Sequence, residues 1–263
     1  MENVLYAWDY KKYYCKICNK YNRLYFGNEF CQVRIPTLEE VKRSIEFAED
    51  NNLKFTFVTP YVTNNGLNKI KIILDYLAAY KEDIEIVVND WGVFYYIDNH
   101  YKEFQVIIGR LLTKQRRGPR ILNVMDKISK DALEHFKSSN MDSEEIYDYL
   151  SEKCVKRAEF DNLLQGINLE HVKLKKSLYY PYVYVTTTRL CMTNTMGGIY
   201  ETDKIGIHPC NRECESYTTY LRHPTIPSDL IVKGNTQFVI NKTLPDLEEK
   251  EIDRLIYQPE PFA

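Results

Sequence analysis

The chain has 263 residues, 44% of them hydrophobic and 27% charged, with a net charge of −2. That length fits one large α/β domain, or at most two small ones, with ample volume for a core. The near-neutral balance gives no global drive toward nucleic acid or anionic lipid, so any anion binding has to come from a local patch.

The N-terminal segment MENVLYAWDYKKYYC has no apolar run with a small-residue cleavage site, and no stretch approaches the length needed to span a bilayer. The expected location is the cytoplasm. Residues 1–22 read as an extension carrying a CKIC pair (15–18), after which RLYF (23–26) is the first buried strand. A loop with Cys31 and Arg34 follows. TLEEVKRSIEFAEDNN (37–52) opens with a capping box, Thr37 and Glu40, and sets Leu38, Val41, Ile45 and Ala48 on one helical face. KFTFVT (54–59) reads as a strand, and 66–81 as a helix with Leu67, Ile70, Leu74 and Leu77 in register.

IEIVV (84–88) has the β-branched character of a parallel strand buried on both faces. Asp90 then caps a short helix through Tyr96; a general acid–base role is the competing reading, and capping explains the residue as well. FQVIIG (104–109) is the next strand. GRLLTKQRRGPR (109–120) has five basic residues and no acid, and two polar helices follow, near Lys130–Ser138 and Ser143–Lys153, so that 109–155 is a basic loop with a helical insert. Residues 156–161, 180–188, 230–233 and 253–259 supply four further strands, with the tyrosines of YYPYVYV packing the sheet. Eight strands interleaved with helices predict an irregular (β/α)8 TIM-like barrel in a single domain over 1–263. In it Cys31 and Cys191 each follow a strand, which places both at the C-terminal rim where such barrels do chemistry.

Seven cysteines at irregular spacing, in a reducing compartment, read as metal ligands plus plain thiols. Cys210 and Cys214 lie four apart and Cys191 shortly before them; Cys31 is the best fourth ligand. Four thiolates suit tetrahedral zinc or an iron–sulfur cluster. A single buried cysteine is commonly an inert hydrophobe, but Arg189, Arg212 and His208 flank this set, and cations favour the thiolate. Cys154 reads as core, and Cys15 and Cys18 as two unligated thiols. No HExxH, GxSxG or P-loop is present.

LYFGNEFCQVR (24–34), VNDWGVF (88–94), IIGRLL (107–112), TRLC (188–191) and PCNREC (209–214) together resemble the peptidase U32 family, and most closely its short single-domain members. The resemblance implies a TIM-like barrel with a [4Fe-4S] cluster on Cys31, Cys191, Cys210 and Cys214. It also implies a part in oxygen-independent hydroxylation, in which relatives act on ubiquinone precursors or RNA, with prephenate as an oxygen donor. Zinc is the competing metal. A non-catalytic metal-stabilised subunit and an RNA-modifying component are the competing functions, and peptidase activity has no visible support. Short relatives work beside a second barrel, so a second subunit of the family or a homodimer is expected. The CKIC pair and the basic insert depart from the family pattern, and the extra C-terminal domains of RNA-modifying members have no counterpart here. Arg110 and Arg189, each ending a predicted strand, are expected to converge over the cluster mouth with Arg34 nearby, as guanidinium forks for a carboxylate substrate.

Overall fold

The computed structural model describes residues 1–17, 20–80, 84–196 and 209–262. Eight parallel strands close a barrel. In chain order they are β1 (Glu2–Tyr6), β2 (Arg23–Gly27), β3 (Lys54–Val58), β4 (Glu85–Val88), β5 (Gln105–Ile108), β6 (Arg157–Asp161), β7 (Lys175–Tyr180) and, after the strands of a second sheet, β12 (Ile252–Tyr257). β1 closes the ring by pairing with both β2 and β12. Around it lie α1 (Tyr10–Ile17), α2 (Leu38–Asp50), α3 (Asn64–Tyr80), α4 (Trp91–His100), α5 (Lys130–Lys137) and α6 (Glu144–Glu152). The expected capping box of α2 and the Asp90 cap of α4 are both present; Asp90 Oδ1 accepts from Gly92 N at 2.6 Å.

A four-stranded antiparallel sheet, in the order β8 (Tyr182–Thr187), β11 (Thr236–Ile240), β10 (Leu230–Lys233) and β9 (Thr219–Leu221), lies beside the barrel. The barrel strand count agrees with expectation, but two members differ. The run 180–188 is not one barrel strand: Pro181, which has no N–H for a ladder, separates β7 from β8. The stretch 230–233 also belongs to the second sheet. Their places in the ring are taken by 2–6, read from sequence as an extension, and by 175–180.

Period-two alternation sends every second barrel residue toward the axis. The middle of the interior is apolar and aromatic apart from the buried Glu159 of β6, with Val4, Tyr6, Tyr25, Val58, Val87, Ile107, Tyr179 and Ile256 packed together. Charge sits at both ends. At the C-terminal mouth, Phe30 and Leu111 from barrel loops pack on Tyr184, Ile231 and Phe238 of the second sheet, so that the sheet covers that mouth.

Candidate functional site

The segment GNEFC (27–31) delivers the first thiol. Gly27 has φ +131°, and a Cβ there would lie 2.1 Å from the Val58 carbonyl oxygen, so only glycine fits. Asn28 Oδ1 then accepts from the backbone N–H of Phe30 (2.8 Å) and of Cys31 (2.7 Å), which fixes the turn. The other three thiols come from the second sheet. Cys191 follows β8 and precedes the short helix α7 (Met192–Met196), and Cys210 and Cys214 lie on the loop before β9. Cys191 therefore does not end a barrel strand as expected, and the thiols gather along the seam between the two sheets.

Two asparagines hold that seam. Asn235 Nδ2 donates to the carbonyls of Phe30 and Thr188, both at 2.7 Å, tying the Cys31 loop to the end of β8. Asn194 Nδ2 donates to Pro209 O and Glu213 Oε1, both at 3.1 Å, tying α7 to the loop of Cys210 and Cys214. The result is one electrostatic neighbourhood. Burial first, and then the charges of Cys214 and Cys210, push the Cys31 thiol up. Burial first, and then Cys214, Cys31 and Cys210, push Cys191 up to about 11. Burial also raises Cys214, opposed by Arg34 and Lys233. Among the described residues no three His, Cys, Asp or Glu side chains are placed to hold a single metal ion. Cys154 is remote from this set and exposed, not core. Cys18 and His208 lie outside the described residues, as does the side chain of Cys15.

The cations nearest the thiols are not those expected. Arg34, 6% exposed, stacks 4.4 Å from the Trp8 ring centroid and contacts the Glu215 carboxylate. It faces Cys214 and Cys31, whereas Arg189 lies on the rim over the Tyr61 ring, 5.5 Å from its centroid. Arg110 does not reach a cluster mouth at all. Its five N–H donors are taken by Glu29 (3.0 and 2.6 Å), Asp161 (2.9 Å), Tyr182 O (3.1 Å) and Gln258 (3.0 Å), and it is fully buried. Sealed beneath the second sheet, it has no fork left for a substrate. Arg117, from the same basic run, is also internal, with its Nε on Asp161 at 2.6 Å and its guanidinium over Tyr184. Arg116 donates to His135. What remains open is a cleft of about 450 Å³ at the ends of β3 to β5, lined among others by Tyr61, Asn89, Lys114, Arg117, Thr187 and Arg189. Tyr61 links the two places, because the Cys31 thiol is among the charges that raise its hydroxyl after burial.

No protein-family model matches the chain. No curated protein matches it significantly. Among solved structures it is similar to a family 18 glycoside hydrolase, an N-acetylglucosaminidase from Paenibacillus barengoltzii, at 8% identity and a TM-score of 0.36, covering 97% of this chain and 94% of that one. A likeness that low carries no argument about function. The fold and the seam define a TIM-like barrel with four thiols gathered beside a polar cleft. No helix among the described residues is long and apolar enough to cross a membrane.

Proposed function

We propose that the chain is a cytoplasmic iron–sulfur barrel protein taking part in oxygen-independent hydroxylation, or a related redox modification, of a small carboxylate, with prephenate as oxygen donor. The observation that carries the reading is the gathering of Cys31, Cys191, Cys210 and Cys214, remote in sequence, into one neighbourhood of mutually interacting thiols. Their donor chemistry fits a cluster. A tetrahedral zinc ion with bonds of about 2.3 Å needs its sulfurs about 3.8 Å apart. A [4Fe-4S] core, whose iron and sulfide lie between the cysteine sulfurs, needs a looser set, and the order of the four cysteines along the chain, like that of the resembled family, supports the cluster. When bound, the cluster supplies electron transfer or an iron site for oxygen chemistry.

The chain's own residues supply the rest. Arg34 and Lys233 offset thiolate charge at Cys214. Arg189 and Lys114 present positive charge to the cleft, where a carboxylate would dock beside Tyr61. A polar cleft next to the thiols favours an enzyme over a purely structural metal subunit, because a structural centre needs no such opening. A second subunit of the same family, or a second copy of this chain, is the expected partner. The deciding experiment is anaerobic purification with iron, acid-labile sulfide and zinc analysis. Iron and sulfide near four each per chain are expected; stoichiometric zinc without sulfide, or no metal after reconstitution, would overturn the reading.

A further inference from the structure

At the end of the barrel opposite the thiols lies a cavity of about 490 Å³, lined by Glu2, Arg23, Lys54, Glu85, Gln105, Arg157, Lys175 and Arg254, one residue from each of the eight barrel strands. Each sits an even number of residues from an interior side chain of its own strand, so the ring belongs to the axis and not to the helix layer. Five cationic and three carboxylate side chains line the bowl. The carboxylates are committed. Glu85 takes Arg254 bidentately at 2.8 and 2.9 Å and meets Arg23 at 3.0 Å. Glu2 accepts from Arg23 and Arg254 at 2.9 and 2.6 Å. Glu49, the third, belongs to α2 and bonds the Tyr80 hydroxyl.

The cations are not all committed. Arg23 is 5% exposed and uses Nε and Nη1, and its Nη2 has no acceptor among the described residues and is not sealed from the cavity. The ammonium group of Lys54, its register partner on β3, makes no hydrogen bond or ion pair among the described residues, nor does that of Lys175 across the ring. One wall of the bowl is apolar, made by Ile45, Ala48, Leu53, Phe55 and Ile84 beside Lys54. A fixed donor, a mobile ammonium and an adjoining apolar wall are the elements of a small-molecule site.

We propose that this N-terminal mouth is a second binding site, for a small organic anion. The ligand is a carboxylate or phosphate monoester whose charged group sits on Arg23 Nη2 and Lys54 and whose apolar body lies on the Ile45–Phe55 wall. Lys175 raises the potential from the far side. The site is independent of the thiol seam and of whatever metal the seam holds.

The test uses benzoate, phenyl phosphate and inorganic phosphate, titrated calorimetrically into the chain carrying Lys114→Glu and Arg189→Glu, which replaces the two cations presented to the anion cleft at the other end. Saturable binding of benzoate or phenyl phosphate is expected to persist there, and which of the two is tighter identifies the anionic group. Adding Lys54→Glu, a change at an exposed side chain, should weaken it by about tenfold or more, as loss of a charge-assisted contact requires. Phenyl phosphate should bind more tightly than inorganic phosphate because of the apolar wall. No saturable binding in the Lys114→Glu, Arg189→Glu chain, unchanged affinity on adding Lys54→Glu, or equal binding of phosphate with and without its phenyl group would each overturn the proposal.

Discussion

Arg110, at the end of β5, donates two hydrogen bonds to the carboxylate of Glu29, which stands 81 residues earlier on the loop after β2. Both side chains are fully buried, and Asp161 and Gln258 complete the fork. The pair crosses the barrel mouth and fixes the loop that carries Cys31. Taking one partner away strands a charge in the interior, so Arg110→Ala or Glu29→Ala should destabilise the fold by about 3–5 kcal/mol, and the double variant by less than the sum. Urea unfolding measures this. A loss under about 1 kcal/mol in either single variant would show that the network is not set as described.

The thiol seam makes a residue-specific prediction. Serine in place of Cys31, Cys191, Cys210 or Cys214 should deplete bound iron and sulfide in each case, because a hydroxyl is a hard, poorly ionised substitute for thiolate. Cys154→Ser should leave the content unchanged. Metal analysis of anaerobically reconstituted variants checks it, and full loading of any of the four serine variants would remove that residue from the ligand set.

Gly27 offers a test of the loop without touching a thiol. With φ at +131° and the Val58 oxygen 2.1 Å from any Cβ, Gly27→Ala should cost at least about 2 kcal/mol and loosen Cys31. Lower cluster content, in protein that still shows the wild-type circular dichroism, is the expected signature. Asn235→Ala should act the same way from the other side of the seam, by freeing the Phe30 carbonyl.

Glu159, fully buried in the middle of the barrel, accepts from the Tyr179 hydroxyl at 2.8 Å on one oxygen and has no partner on the other. Burial, ahead of the repulsion from Glu29, raises its pKa from 4.5 to about 8. The folded state therefore keeps a proton that the unfolded chain has released. This contribution is fully present below pH 4.5 and is lost as pH rises through about 8. Between those limits wild-type stability should carry a downward slope that Glu159→Gln flattens, read by urea unfolding at a series of pH values. An identical slope in both proteins would contradict the assignment.

Much of the barrel is legible in the sequence because α2, α3 and β2 to β6 carry clean periodicities. β1 and β7 are not. The strand ENVLY is short and half polar, and KKSLYY opens with two lysines, Lys175 on the ring of the N-terminal mouth and Lys176 paired with Glu251. Pattern reading discounts such residues at strand positions, since it takes interior faces to be apolar. The same blind spot explains Arg110. A basic run reads as a surface loop or a ligand clamp, yet here its acids come from β6 and the loop after β2, which no local window contains. The cysteines announce themselves by type, whereas Asn235 and Asn194, which hold their loops together, are ordinary polar residues in sequence and acquire meaning only through the carbonyls they reach.

Because β1 hydrogen-bonds to β12 as well as to β2, the ring lacks a seam partner until residue 257 is available. On a ribosome the nascent chain would hold an unsealed curved sheet, with the free edges of β1 and β7 exposed, until β12 emerges. Contacts this distant in sequence slow folding and reward protection of those edges. A newly made chain is thus most vulnerable to aggregation just before β12 emerges, and a chaperone that shields strand edges would raise its yield more than one that only shields apolar helix faces.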